Sequence, residues 1–167
     1  MRETKQVCGT VLLVPFQLDE ERFALHLSAV ERVLRAVNIL GLPKAPDVVL
    51  GVINVHGVIV PVVSPRRRFG LPDRDLELVD RLIIATIPVR ASRSQSRPVA
   101  LLVDSVGSVI EVSAENVVSA TSLVSGLEHI EGVARVADGL VLINDLDRFL
   151  SISESSMLDA AMEGTDG

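Results

Sequence analysis

Two stretches of this chain follow one plan, and that repetition limits its fold more than any other feature. Gly51-Val52-Ile53-Asn54-Val55-His56-Gly57-Val58-Ile59-Val60-Pro61-Val62-Val63 reads as glycine, apolar strand, glycine-bearing turn, apolar strand. Gly132-Val133-Ala134-Arg135-Val136-Ala137-Asp138-Gly139-Leu140-Val141-Leu142-Ile143 repeats it. Each copy runs on through a polar segment to an Arg-Phe pair, Arg68-Phe69 and Arg148-Phe149. Upstream and in the same order, residues 24–34 are echoed by residues 100–110. Segments recurring in order, about 76 to 81 residues apart, predict two similar halves of a duplicated β unit; two copies are too few for an open solenoid.

At 167 residues the chain fits one domain or two very small ones, and it can bury about 70% of its unfolded surface. Hydrophobic residues make up 48%, mostly Val, Leu and Ile in short runs, and a β-branched excess favours strands. No apolar run approaches the roughly 20 residues of a membrane span, so no direct membrane insertion is expected. Leu12 to Phe16 is too short for a signal-peptide core, and residues 4–7 ahead of Cys8 do not read as a lipoprotein cleavage site. One cysteine permits no internal disulfide and supplies no metal cluster, which suits a reducing cytoplasm. A net charge of −6 without Trp or Tyr argues against the basic, aromatic-lined face of a nucleic-acid binder. Arg66-Arg67-Arg68 reads as a solvated rim at a strand exit rather than a phosphate clamp.

Residues 1–9 are polar and expected to be a flexible N-terminus. Val11 to Leu18 and Arg22 to Leu27 read as a hairpin around Asp19-Glu20-Glu21, with Phe23, Leu25 and Leu27 facing the core and Ala24, His26 and Ser28 facing out. Val30, Val33 and Leu34 fit a turn of helix or an irregular strand. Residues 42–47 form a loop fixed by two prolines, and Val48 to Leu50 lead into the next strand. His56-Gly57 is the two-residue loop of a tight hairpin, and Pro61 is expected at an edge or bulge. Leu78 to Val89 and Val99 to Val103 read as strands, Arg90 to Arg97 as a mobile polar loop, and Ser113 to Ser125 as a connection between barrels. Ser151-Ile152-Ser153-Glu154 fits a capping box, which predicts a helix over roughly 154–163. The fold class is mainly β.

Residues suited to chemistry are scarce. His26 reads as a surface residue, and His129 has no partner at metal-ligand spacing. A Ser105, His129, Asp145 triad can be written down but lacks a nucleophile turn. There is no phosphate loop, Cys-x-x-Cys or His-Glu-x-x-His. The aspartates 104, 138, 145 and 147 sit at turns, where local hydrogen bonding explains them. No catalytic, cofactor or metal residues are expected, and no enzyme activity.

From Gly51 through Arg68-Phe69-Gly70-Leu71 the chain resembles the CheW family, the coupling proteins of bacterial chemotaxis arrays. That family runs approximately Gly-Val-x-Asn-Leu-Arg-Gly-x-Val-x-Pro-Val-x-Asp-Leu-Arg here, then Phe-Gly. Val30-x-x-Val33-Leu34 ahead of Leu42-Pro43 and Ala45-Pro46 agrees, as do Leu102 to Val109, Ile130-x-Gly132-Val133, Asp138-Gly139-Leu140 and Asp145-Leu146. The resemblance implies two packed five-stranded SH3-like β-barrels in a single domain over 10–152, with 153–167 as a C-terminal helix and frayed tail. It implies a cytoplasmic adaptor, recruited to membrane receptor arrays, that docks on a chemoreceptor's cytoplasmic tip and on the regulatory domain of a CheA-type histidine kinase. Pairing with other CheW-like domains in rings is a further implied contact.

Partner-binding residues implied by the resemblance are Val30, Arg32, Val33, Gly51, Asn54, His56, Gly57, Val103, Asp104, Val106 and Val109, with a groove between the barrels near Val30, Val33, Gly51, Asn54 and Val103 to Val109. Three positions depart from the family pattern: Arg32 where Glu is common, His56 where Arg is usual, and Ser64-Pro65 in place of Asp-Leu. Rim charges of this sort steer partner choice more than they set affinity. A CheW-like scaffold for twitching motility, biofilm or cyclic-dinucleotide control is the alternative, and a small hydrolase the remote one.

Overall fold

The computed structural model describes residues 9–89, 92–119 and 129–166. Most of the expected loose N-terminus, the start of the polar loop at 90–91 and the second half of the expected connection, from residue 120 on, lie outside them. Twelve strands are described: β1 (Thr10–Leu18), β2 (Glu21–His26), β3 (Val30–Arg35), β4 (Val49–Val55), β5 (Val58–Val63), β6 (Arg81–Val89), β7 (Ser92–Val103), β8 (Ser105–Val106), β9 (Ile110–Ser113), β10 (Val117–Ser119), β11 (Ile130–Val136) and β12 (Gly139–Asn144). A one-turn helix α1 (Pro65–Arg68) follows β5, and α2 (Ile152–Asp166) closes the described chain.

The strands form two mixed sheets. One has the order β9-β1-β2-β12-β11-β10 with β8 beside β1; the other runs β3-β6-β7-β5-β4. The first therefore holds seven strands rather than the expected five. Without the short β8 and β10, its order matches the second, with β9, β11, β12, β1 and β2 standing where β3, β4, β5, β6 and β7 stand. The likeness extends to detail: β12 and β2 pair in parallel, as do β5 and β7. A bulge interrupts β4 between Val49 and Gly51, and β11 between Ile130 and Gly132.

The barrels are not the two sequence halves. The first sheet takes its β1–β2 hairpin from the first copy and its other main strands from the second; the second sheet makes the reciprocal exchange. The two parallel pairings force this crossing, so neither copy can complete a sheet from its own strands.

Side-chain alternation then builds three cores. Phe23 and Leu25 face one way on β2 and Ala24 the other; Ile83, Ala85 and Ile87 face one way on β6, with Leu82 and Ile84 opposite. Each sheet curls around its own small cluster, Leu13, Ala24, Val112, Ala134, Val141 and Ile143 in the first, and Ile53, Val60, Val62, Leu82, Ile84 and Ala100 in the second. Between them lies the shared core, where Phe16, Leu18, Phe23 and Leu25 meet Ile83, Leu101, Val103, Phe149 and Leu158. Phe23 stacks on both Phe16 and Phe69 at 5.6 and 4.9 Å. Ala24, expected to face solvent, is fully buried because both faces of β2 are covered.

Other local readings are refined. Residues 30–35 are a strand, entered through a 3₁₀ turn at Leu27–Ala29. Residues 92–97, read as a mobile loop, extend β7 in a long hairpin with β6. Leu78 and Val79, expected in a strand, lie in a turn and are 94% and 64% exposed. There the buried Asp80 carboxylate accepts the Glu77 N–H at 2.8 Å and both Arg74 Nη atoms, which holds the turn outward. Residues 113–119 do not bridge the barrels; they pass through a 3₁₀ turn into β10, within the first sheet.

Pro61 lies in an inner strand of its sheet and not at an edge. Val52 opposite it exchanges both backbone hydrogen bonds with Leu40, at 2.8 and 3.0 Å, so the Val52–Pro61 pair shares none. The missing N–H points off β4, and β7 joins β5 only from Val62 onward.

His56 and Gly57 have φ of 50° and 88°, a left-handed pair that turns the β4–β5 hairpin, and Asn54 Oδ1 accepts the Gly57 N–H at 2.8 Å. Gly57→Val places a β-branched residue at that φ and is expected to cost about 1–3 kcal/mol, read as a lower urea midpoint. An unchanged midpoint would contradict the turn geometry.

The capping box forms reciprocally. The Glu154 N–H donates to Ser151 Oγ at 3.1 Å and the Ser151 N–H to Glu154 Oε1 at 2.9 Å. Leu158 enters the shared core, and Arg97 pairs with Asp159, so α2 is docked on the barrels.

Candidate functional site

The tip of the β4–β5 hairpin and the adjoining β3 strand carry an apolar depression. Val55, Val60 and Ile84 line its floor, and the exposed Val58, Arg32 and His56 stand at its mouth. Val58 is 52% exposed at the hairpin tip, beside the exposed Asn54, His56 and Gly57, and is the large apolar side chain that this tip presents to solvent. Arg32 reaches this place because β3 is bulged between Val30 and Arg32. Glu31 beside it accepts a hydrogen bond from Thr86 Oγ1 at 3.1 Å, which fixes one charge at the rim.

The residues expected to bind partners divide. Arg32, Asn54, His56 and Gly57 converge on this tip, although the Asn54 side chain serves its own turn. Val33 is 40% exposed on the same strand as Arg32. Val30 and Val106, equivalent in the repeat, both pack partly buried against the shared core. Val106 also borders a shallow groove with Pro15, Gln17, Arg22 and Asp138 on the first barrel, and Val109 is 49% exposed. Gly51 and Val103 are buried and offer no surface. At Gly51 a Cβ would lie 2.1 Å from the Leu40 carbonyl oxygen, so the glycine exists to let that segment lie flat; Gly132 is built the same way against Val118 at 2.5 Å. The eleven positions therefore do not form one continuous groove.

Asp104 belongs to an ion network at the seam between the barrels. Its Oδ2 accepts the Asp19 N–H at 2.6 Å and Arg66 Nη2 at 2.8 Å, and its Oδ1 accepts Arg74 Nη2 at 2.7 Å. Arg66 also donates to Asp19 and to the Pro72 carbonyl, and Arg74 to Asp80. The arginine triplet is thus neither a solvated rim nor a phosphate clamp. Arg66 is buried, Arg67 pairs with Asp73, and Arg68 pairs with Glu154 while lying over the Phe149 ring. Ser64 and Pro65, one of the three departures, are buried too: the Ser64 Oγ accepts the Arg67 N–H and Pro65 opens α1.

Burial pushes the Asp104 carboxyl up, but the Asp19 N–H and the Arg66 and Arg74 guanidiniums outweigh it and hold it below its ordinary value of 3.8. Glu154 is likewise opposed by burial and held below 4.5 by Arg68 and the Ser151 N–H. A carboxylate depressed in the folded state contributes stability above its unfolded pKa and loses it as pH falls through the folded one. Stability should therefore drop below about pH 4.5. In urea titrations at pH 5 and pH 3, Glu154→Gln is expected to lose less between the two than the wild type; equal losses would contradict it.

The hydrolase triad is not assembled. Ser105 Oγ donates to Gln17 Oε1 at 3.2 Å, His129 Nδ1 donates to the Arg148 carbonyl at 2.8 Å, and Asp145 accepts the Asp147 N–H. Among the described residues no group of three His, Cys, Asp or Glu side chains is placed to hold a metal ion, and no helix is long and apolar enough to cross a membrane.

Comparison with known proteins gives this geometry its context. A family model described as the CheW-like domain matches residues 12–154, both sheets and the start of α2. The chain belongs to the CheW family. It is 28% identical over 148 residues to chemotaxis protein CheW of Treponema pallidum, covering 87% of this chain and 85% of that one. Against chemotaxis protein CheW of Thermotoga maritima it is 27% identical over 139 residues, covering 83% and 86%. The crystal structure of the scaffolding protein TtCheW from Thermoanaerobacter tengcongensis superposes with a TM-score of 0.75 at 26% identity, covering 87% and 96%. The CheW family is a chemotaxis scaffold without catalysis, which agrees with side chains here being spent on the fold and on surfaces. Arg32 and His56, expected from the sequence at a partner surface, both line this depression; Val58 beside them was not among the expected residues, its one signal being an apolar residue directly after the turn.

Proposed function

We propose that this CheW-family protein is a cytoplasmic, non-catalytic adaptor that couples the cytoplasmic tips of chemoreceptors to the regulatory domain of a CheA-type histidine kinase. The observation that carries the reading is the match to the family across both barrels. A stiff double barrel with a shared core can hold two partners at fixed separation, and apolar surfaces on different barrels can serve different partners. Pairing with other CheW-like domains in rings at membrane receptor arrays would add avidity to small contacts.

The apolar depression at the β4–β5 tip is the kinase-facing candidate. Two of the departures from the family pattern, Arg32 and His56, meet at its mouth. That convergence favours a partner choice retuned at one spot, for a non-standard kinase or for another CheW-like signalling system such as twitching motility, biofilm or cyclic-dinucleotide control. Arg32→Glu combined with His56→Arg is expected to tighten binding to a standard CheA-type regulatory domain by roughly tenfold, about 1.4 kcal/mol, in titration calorimetry. Equal affinities before and after would remove these positions as specificity determinants.

A further inference from the structure

A second pocket lies on the first barrel, between the end of β2, the start of β11 and the turn after β12. His26, Ser28, Glu131, Asn144, Asp145 and Asp147 line it. Asn144 is only 2% exposed, yet neither its Oδ1 nor its Nδ2 has a hydrogen-bond partner among the described residues. Leaving such a group unsatisfied disfavours folding. The fold does not demand it. The equivalent position at the end of β5 is Val63, which is buried in the shared core.

The charge of the pocket is negative. Glu131, Asp145 and Asp147 face it; His26 Nε2 bonds to Glu131 at 2.7 Å. The nearby Arg148 stands 3.8 Å from Asp145 with a side chain 70% exposed. An uncharged donor–acceptor pair and three carboxylates suit a cation that carries N–H donors and has a carbonyl beside it. An arginine or lysine within a peptide supplies both, whereas a free polyamine supplies donors alone. The pocket also runs into an apolar strip of Val11, Leu12 and Leu27 through the shared His26 and Ser28, and Leu12 is 44% exposed.

We propose that this pocket is a docking site for a partner protein's basic side chain, with an apolar neighbour of that side chain lying on the Val11–Leu12 strip. Asn144 Oδ1 and the carboxylates accept the cation's N–H groups, and Asn144 Nδ2 donates to the partner's backbone. This rests on the family being a scaffold, and not on which kinase or receptor is bound.

The test is amide NMR on the ¹⁵N-labelled full chain, with N-acetyl-leucyl-arginine amide as probe and its citrulline counterpart as a neutral control. The arginine peptide should shift the Asn144 side-chain amide and the backbone amides of 145–147, together with Leu12; the citrulline peptide should not. Asn144→Val should abolish the shifts and raise the urea midpoint, and Asp147→Asn should weaken the response. Equal shifts from the citrulline peptide would overturn the proposal, as would spermidine reproducing the response without Leu12. A lower midpoint or failed folding of Asn144→Val would also overturn it, by showing that the amide is needed by the fold itself.

Discussion

Replacing Arg66 with methionine is expected to lower the unfolding free energy by about 2–4 kcal/mol, whereas Arg67→Met should cost under about 1 kcal/mol. The two arginines are neighbours in sequence and differ in what surrounds them. Arg66 has a side chain 9% exposed and donates to Asp19, Asp104 and the Pro72 carbonyl. Asp19 is in the first hairpin's turn and Asp104 at the end of β7, so one guanidinium ties the first barrel to the second. Methionine fills much of the volume but leaves Asp104 with one cation fewer in a partly buried place. Asp19 is 45% exposed, and water recovers part of the loss there, which keeps the expected cost below that of a fully buried pair. Arg67 pairs with Asp73 at 38% and 59% exposure, a surface contact of small worth. Urea titrations at neutral pH separate the two variants. Equal losses would mean that the network does not lock the seam.

Gly51→Ala should cost about 3 kcal/mol, the upper end for overpacking, because the clash is with backbone. The new Cβ would meet the Leu40 carbonyl oxygen at 2.1 Å and Ile39 Cγ2 at 2.8 Å. Leu40 cannot yield easily, since its N–H and C=O are both bonded to Val52. Gly132→Ala is expected to follow with a smaller loss, its clash with the Val118 oxygen being at 2.5 Å. Gly41→Ala, with open space around it, is the control and should be near neutral. A Gly51 variant as stable as the control would contradict the packing role and return this position to the partner surface.

The duplicated architecture was legible because each copy keeps its own strand pattern, and the glycines at 51 and 132 recur for the same steric reason. The exchange of hairpins between copies was not legible. It depends on parallel pairings between strands distant in sequence, such as Leu142 with Phe23, and these leave no local signal. The same limit explains Arg66: a run of three arginines contains nothing about aspartates 47 and 38 residues away. Leu78 and Val79 were misplaced because apolar runs predict strands unless a buried carboxylate such as Asp80 fixes a turn. Of the candidate site, Arg32 and His56 were read from a family pattern, and their convergence on one depression needed the fold. Asn144 was not singled out from the sequence, although a polar residue at the position equivalent to Val63 in the repeat was a usable sign.

The most direct measurement of the central claim is co-sedimentation. Receptor-bearing membranes from a host strain without its own adaptors are pelleted with the host's CheA-type kinase, in the presence and absence of this protein. Coupling predicts that the kinase and this protein enter the pellet together, and that the kinase stays in solution when the protein is left out. A kinase that pellets equally well alone, or a protein that remains in the supernatant beside both partners, would contradict it.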